Sequence, residues 1–330
     1  MMDQKMYRIP TASGTEQLFE VCVQFLNCLD LRFRSYRIFF LILISVVLSF
    51  SAFARCELGL ALNDPEIGRE IKFDPSVPLT SGTDQEIKLE ISVFLEGPFD
   101  TDFVGMKSVL HEKGYLPGLE PSTFFGSREP SGQPYFKQPW EYQGNEGKEV
   151  LKARELYPYG SIDWVLVSLR YTEDVSSEVC RVPGILLDDG SVYFRQGWGT
   201  CQVDIEESYY VVVEHRNHLM VMSPTAISAI NGSISCDFRY NQSYTSLVGY
   251  GQKEVVPGVY AMYAGNVSQK GTTNASNDIN YEDFYSWLKM NGKNSAYLTA
   301  DVDLDGDVNI RDSQYVLSNI GVFSDVLKDY

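Results

Sequence analysis

Residues 301–312 read Asp301-Val302-Asp303-Leu304-Asp305-Gly306-Asp307-Val308-Asn309-Ile310-Arg311-Asp312. Asp301, Asp303 and Asp305 stand at alternate positions, Gly306 comes next where the chain must turn, and Asp312 closes the frame. A hard cation such as Ca²⁺ takes about six to eight oxygens at roughly 2.3–2.6 Å, and alternate carboxylates on a curled loop converge on one such ion. Without a cation, acids this close together repel one another. Glycine adopts the left-handed turn at little steric cost. Val308 is placed to point inward and pin the loop to a core. The competing reading is a solvated acidic turn. Spacing, glycine and terminal carboxylate together favour a metal loop. The expected ligands are the side chains of Asp301, Asp303, Asp305, Asn309 and Asp312, with Asp307 giving its backbone carbonyl and Asn309 acting directly or through a water.

The loop departs from an EF-hand in two ways. Its last position is Asp rather than Glu, and Tyr297-Leu298-Thr299-Ala300 before it lacks helical spacing. The segment on its C-terminal side does read as a helix: 312–319 has no Gly or Pro, Val316 and Ile320 share a face, and Gly321 is a C-cap candidate. A loop that leads into a helix, with no helix entering, resembles the half-hand of type I dockerins, whose pattern is matched from Asp301 through Asp312. Dockerins carry two such units, and a worn partner lies upstream. Gly265-Asn266-Val267-Ser268-Gln269-Lys270-Gly271 keeps the glycine but replaces the acids with Asn266, Ser268 and Lys270. After an insertion, Asp278-Ile279-Asn280-Tyr281-Glu282-Asp283 parallels Asp307 to Asp312, and Phe284, Trp287 and Leu288 share a helical face that Asn291-Gly292 stops. Lys270 puts a positive charge where a carboxylate is needed, so this first loop is expected to bind calcium weakly or not at all. The resemblance covers about 263–322 and implies a small paired loop–helix domain, EF-hand-related, over 263–330.

The 330-residue chain allows about two domains. It is 44% hydrophobic and 13% aromatic, enough for a sizeable core. Lys plus Arg number 27 against 44 Asp plus Glu, a net charge of −17, which argues against nucleic acid as a partner. Residues 38–54 form the long apolar run, preceded by Arg32, Arg34 and Arg37 and ended by Ala52-Phe53-Ala54. This reads as a secretory signal with cleavage after Ala54, so 1–54 is an N-terminal extension plus signal peptide. An uncleaved anchor is the alternative, but the run is short for a bilayer span. Arg55 before Cys56 does not fit a lipidation site. The chain is therefore expected outside the cell or at its surface, with no membrane contact after cleavage. Cys56, Cys180, Cys201 and Cys236 remain, an even number that suggests disulfides. Cys180 with Cys201 across a hairpin, leaving Cys56 with Cys236, is one of three connectivities.

Residues 55–86 read as a linker or lead-in rich in Asp-Pro and Ser-Gly signals. From there to 262 short β-prone runs alternate with turns, at 87–96, 162–170, 184–187, 192–195, 209–215, 219–222 and 234–239, with Asp188-Asp189-Gly190 as a hairpin turn. One helical candidate, 106–113, interrupts them. The expected class is mainly β, a β-sandwich over 87–262. Trp140, Trp164 and Trp198 read as core or edge residues more readily than as a sugar platform. The phrases Phe94-Leu95-Glu96-Gly97-Pro98-Phe99, Pro139-Trp140-Glu141-Tyr142, Ile162-Asp163-Trp164-Val165-Leu166-Val167 and His215-Arg216-Asn217-His218-Leu219 resemble a β-rich module of secreted multidomain proteins of Gram-negative bacteria. There the module often precedes a dockerin-like tail. The resemblance implies placement outside the cell and no particular activity.

Catalytic signatures are thin. No Gly-x-Ser-x-Gly elbow, His-Glu-x-x-His helix or phosphate-cradling loop is present. His215 and His218 would point to opposite faces of a strand unless it breaks between them, so structural hydrogen bonds are favoured over a second metal. Asp163 and Glu214 are the carboxylate pair to check for glycosidase chemistry, with a salt bridge to Arg170 or Arg216 the favoured explanation. The leading expectation is a secreted or surface-associated, non-catalytic calcium-binding protein that presents a binding or adhesion module to a protein or glycan. The alternative is a dockerin-bearing, carbohydrate-binding component of extracellular polysaccharide degradation, docked to a cohesin-like scaffold. A secreted hydrolase is a third class.

Overall fold

The computed structural model describes residues 84–121, 128–149, 153–198, 200–245, 251–268 and 277–326. The expected signal segment, the lead-in as far as 83, Cys56 and Lys270 lie outside these residues, and the last three lead-in positions, 84–86, open the first strand instead of a linker. The strands in chain order are β1 (Asp84–Ser92), β2 (Phe99–Asp100), β3 (Gly105–Met106), β4 (Ser161–Arg170), β5 (Glu178–Leu187), β6 (Val192–Tyr193), β7 (Thr200–Asp204), β8 (Ser208–Glu214), β9 (Val221–Met222), β10 (Ile227–Ser228), β11 (Ser233–Asp237), β12 (Lys253–Val256) and β13 (Val259–Ala261). The helices are α1 (Val109–Lys113), α2 (Tyr281–Met290) and α3 (Ile310–Asn319). The described chain is mainly β.

Two sheets share one core. The larger runs in the order β10-β8-β4-β5-β6, with β9 also on β8; the smaller runs β11-β1-β7. Every residue of β4 is buried, which suits its near-continuous apolar run and its place between β5 and β8. β1 instead alternates: Ile87, Leu89 and Ile91 are buried while Lys88 and Glu90 are exposed. Those three face the same core as Trp164, Val165, Val167 and Val213. This arrangement agrees with the sandwich class.

Local chemistry explains the edges. Pro183 lies within β5 opposite Leu166, at a point where the β6 pairing at Ile185 and Leu186 has not begun. A proline that cannot donate to a ladder is tolerated on such a free edge. Gly190 turns the β5–β6 hairpin with φ +85°. Cys180 of β5 and Cys201 of β7 form a disulfide with Cα atoms 5.8 Å apart, tying the two sheets together. Cys236 is a buried free thiol whose pKa burial pushes up to about 12.

All described residues belong to one compact unit. A second cluster joins Leu219 of the β part to Ala264, Val267, Ile279, Trp287, Val302, Val308 and Val316, so the C-terminal loops and helices are seated directly on the sheets.

Candidate metal centre

The acidic loop curls as its spacing requires. Leu304 (φ +57°) and Gly306 (φ +89°) both take left-handed backbone. A side chain at Gly306 would also strike the Tyr115 ring at 2.4 Å. Asp301, Asp303 and Asp305 each bring an oxygen to within 4.8 Å of the others. Asp301 is fully buried; its Oδ1 accepts from the Asp305 amide and its Oδ2 from the Gly306 amide, both at 3.0 Å. Asp312 is equally buried and accepts from the amides of Val302 (2.6 Å), Asp303 (3.3 Å) and Asn309 (2.7 Å). Asp312 therefore ties the end of the loop back to its beginning.

The two remaining expected ligands are held at the loop's exit. Asn309 caps α3, accepting from the Arg311 amide at 2.9 Å, and its side-chain amide donates to the Asp307 carbonyl at 3.1 Å. The Asp307 carboxylate turns outward, accepting from the Ser295 amide at 3.1 Å.

The electrostatics of the cage are unfavourable without a cation. Burial, and then the charges of Asp312, Asp303 and Asp305, push the Asp301 carboxyl well above its ordinary range, against the pull of Arg216. Asp303 is pushed up to about 7 by burial and by Asp312 and Asp305. At the rim Arg311 is 3.9 Å from Asp305 and Lys113 is 3.9 Å from Asp307, while Arg216 is buried behind Asp301 and bonded to Asp163 and Leu298. A site lined by hard oxygen donors, with carboxylates this destabilised, fits a divalent ion of the Ca²⁺ type.

The two halves of this segment repeat one geometry. Asn280 caps α2 and Asn309 caps α3, each in a capping box closed by the Asp three residues on. Asp283 accepts from the Ser268 amide as Asp312 does from Asp303. The connections after the helices are exchanged. Gly292 donates to the Val308 carbonyl and Gly321 to the Ile279 carbonyl; Val308 donates to Lys293 and Ile279 to Val322. In every such pair the residue numbers shift by the same amount, so each helix end pairs with the other unit's loop. Asn266, buried, takes the place of Asp301 in the worn unit.

A clasp from the β part holds both loops. The Asn217 side chain donates to the carbonyls of Thr299 (3.0 Å) and Asp301 (2.7 Å), while its main-chain carbonyl accepts from the amides of Gly265 and Asn266 at 3.0 Å. Arg216 stacks on Tyr297 (4.1 Å to the ring centroid), donates to the Leu298 carbonyl, and reaches Asp163 at 2.7 Å. Glu96 accepts from Lys253 (2.5 Å), Ala264 (2.9 Å) and Asn319 (2.7 Å). A side chain at Gly97 would meet the Val302 carbonyl at 1.9 Å, so only glycine permits the approach. The phrases around Glu96 and Asn217 are thus the seat of the C-terminal segment. Sequence reasoning missed this role; the signal was a run of polar residues, His215 to His218, set between apolar strands.

The catalytic candidates resolve into structure. β8 ends at Glu214, so the strand breaks before the histidines and their rings meet, Nδ1 to Nδ1, at 3.0 Å. The other nitrogens are engaged: His218 Nε2 accepts from the Gly97 amide at 3.2 Å and His215 Nε2 meets Asp163 at 3.2 Å. Burial alone would raise the Asp163 carboxyl, but Arg216, His215 and Tyr297 hold it well below the usual range. Glu214 instead accepts from the Trp140 indole at 3.0 Å and lies 3.8 Å from Arg181. Asp163 is paired with Arg216 and His215, and Glu214 with Trp140 and Arg181. Trp140 and Trp164 are core residues.

No protein-family model and no curated protein matches this chain. Solved structures similar to it include two mutants of a type II cohesin–X–dockerin complex from Acetivibrio cellulolyticus. The N-terminal interface mutant is 16% identical over 48% of this chain and 82% of that chain, with a TM-score of 0.31. The C-terminal interface mutant is 11% identical over 72% of this chain and 96% of that chain, with a TM-score of 0.34.

Proposed function

We propose that this chain is an exported, non-catalytic binding protein in which one Ca²⁺, held by a dockerin-like C-terminal loop–helix pair, fixes that pair onto a β-sandwich. The observation that carries the reading is the convergence of Asp301, Asp303 and Asp305 oxygens within 4.8 Å in a buried loop. Asp312, Asn309 and the Asp307 carbonyl complete the ligand set. The Cys180–Cys201 disulfide suits an oxidising compartment, and no helix among the described residues is long and apolar enough to cross a membrane. Calorimetric titration of the protein with CaCl₂ tests the reading. One site is expected, lost in Asp301→Ala and Asp312→Ala; no heat from the unaltered protein would overturn it.

A docked tail is the second reading, favoured by one specific feature. Tyr281 and Ile310, equivalent positions at the two helix starts, are 65% and 66% exposed. Leu288 and Leu317, also equivalent, are exposed as well. Paired apolar side chains on two related helices suit a protein partner such as a cohesin-like scaffold. Surface-immobilised cohesins, probed with the protein and with Leu317→Asp, test it; no binding to any cohesin removes this reading and leaves the calcium reading standing.

A further inference from the structure

A groove of about 700 Å³ runs along the outward face of β1, away from the metal loop. Its floor is polar: Lys88, Glu90 and Ser92 of β1, with Ser235 and Asp237 beside them in the β11 register. Its wall is aromatic: Tyr193, Phe194 and Trp198, from β6 and the connection to β7. Tyr193 is 37% exposed, and one side of Trp198 is backed by Trp164 at 5.6 Å. The groove is closed at both ends. The β1–β7 register reaches Lys88 opposite Thr200, and β1 meets the other sheet again at the Ser92–Ser191 bridge. Four residue steps of strand separate these closures, about 13 Å.

We infer that this groove is a binding site for a short, uncharged oligosaccharide. The inference rests on the reading of the chain as a non-catalytic binding protein and names the ligand class. Three features select it. The volume falls within the range of ligand sites, roughly 300–1,000 Å³. Most of the charge in the groove is paired: Lys88 is 3.4 Å from Glu90 and Arg239 is 2.8 Å from Asp237, while Arg195 is held by the Glu155 main-chain carbonyl at 2.9 Å. In a chain of net charge −17 a single unpaired cation, Arg195, gives the groove little charge with which to select an anion. Aromatic rings beside a floor of two hydroxyls, two carboxylates and an ammonium match a pyranose, which offers C–H faces and a rim of hydroxyls. An added peptide strand is disfavoured because the closures at Lys88 and Ser92 stop it from running on.

The test is titration of the protein with cellotetraose, xylotetraose, maltotetraose and chitotetraose, with tetragalacturonate and an unrelated heptapeptide as controls, read by calorimetry and by tryptophan fluorescence. At least one neutral tetrasaccharide should bind and shift the emission of Trp198. Tyr193→Ala, at an exposed ring, and Glu90→Ala, on the sheet surface, should each weaken binding by about tenfold while the melting temperature holds. Binding of none of the four at millimolar concentration, binding of tetragalacturonate or the heptapeptide alone, or affinity indifferent to both substitutions would overturn the inference. Calcium uptake is read separately at Asp301, so loss of either result leaves the other interpretable.

Discussion

The side-chain amide of Asn217 donates to the main-chain carbonyl of Asp301 at 2.7 Å, so the residue whose carboxylate opens the metal loop is held from behind by the β part. Calcium bound as proposed at Asp301 should therefore also fix the clasp. Binding to the folded form alone adds about 2.7 kcal/mol at a hundredfold excess over Kd. Calorimetric scans with and without Ca²⁺ should show one transition for the described unit moving upward as a whole. Asn217→Ala removes two donors to buried carbonyls and should cost roughly 1–3 kcal/mol. It should also weaken Ca²⁺ affinity, since the loop then lacks its backing. Two separate transitions, with only one of them sensitive to calcium, would contradict this coupling.

Asp301→Asn should give effects of opposite sign in the two states. The buried carboxylate is destabilised by burial and by its acidic neighbours. Asn keeps one acceptor for the two amides that Asp301 receives on separate oxygens and turns its NH2 toward the other, a loss that removal of the crowded buried charge should outweigh. In EDTA the variant should melt at or above the temperature of the unaltered protein, and in Ca²⁺ the upward shift should vanish. A large loss of stability in EDTA would show that the carboxylate is structural in its own right.

The curl of the acidic loop at 301–312 was legible because alternate carboxylates and a turn glycine follow a local spacing, and the upstream repeat because its cap, Asn280, and box partner, Asp283, sit at the same interval as Asn309 and Asp312. The buried strands β4 and β8 were legible from their apolar runs. The clasp was not, because its partners are remote: Asn217 and Asp301 lie 84 residues apart, and Glu96 and Asn319 lie 223 apart. No period or propensity links such residues. The His215–His218 contact was likewise hidden, since it depends on β8 ending one residue before His215.

Gly97→Ala tests the seat from the other side. A Cβ there would lie 1.9 Å from the Val302 carbonyl, and both are backbone positions that cannot swing aside. The turn at Gly97 and the acidic loop must separate. The expected cost is about 1–3 kcal/mol or more, seen as a lower denaturant midpoint, together with weaker calcium binding. Unchanged values would mean that the two backbones do not pass this close to each other.

Reducing the Cys180–Cys201 bridge should loosen the link between the sheets. The cysteines are 21 residues apart, a closure that corresponds to about 3 kcal/mol. Cys180→Ser/Cys201→Ser should therefore unfold at lower denaturant. Cys236 should behave differently: a buried thiol with its pKa pushed up to about 12 should resist a thiol reagent in the folded protein and react once the chain is unfolded. Rapid labelling of Cys236 under native conditions would refute its burial.

Acid should weaken the seat through His215 and His218. Burial lowers both pKa values; for His218 the neighbouring His215 and Arg216 lower it further, while Asp163 opposes the shift at each ring. An unfolded histidine titrates near about 6.5, so as pH falls below that value the unfolded chain takes up protons that the folded network refuses. Stability from this pair is complete above about 6.5 and is lost progressively below it. Asp163 does not offset the loss in that window: its folded pKa is depressed, so its contribution persists until pH falls below the ordinary carboxylate value, about 3.9. His111, lowered by burial, adds in the same direction. In EDTA the cage works the other way, because Asp301 and Asp303, pushed up in the folded protein, take up protons below about 7 that unfolded carboxylates refuse until about 3.9. The histidine effect is therefore read in Asp301→Asn/Asp303→Asn, whose melting temperature in EDTA should be flat from pH 8 to about 7 and should fall between about 6.5 and 5. EDTA removes the separate effect of acid on calcium affinity. A melting temperature that holds steady to pH 5 would mean that the imidazoles are charged in the folded protein, and the hydrogen-bond chain from Gly97 through His218 and His215 to Asp163 would have to be abandoned.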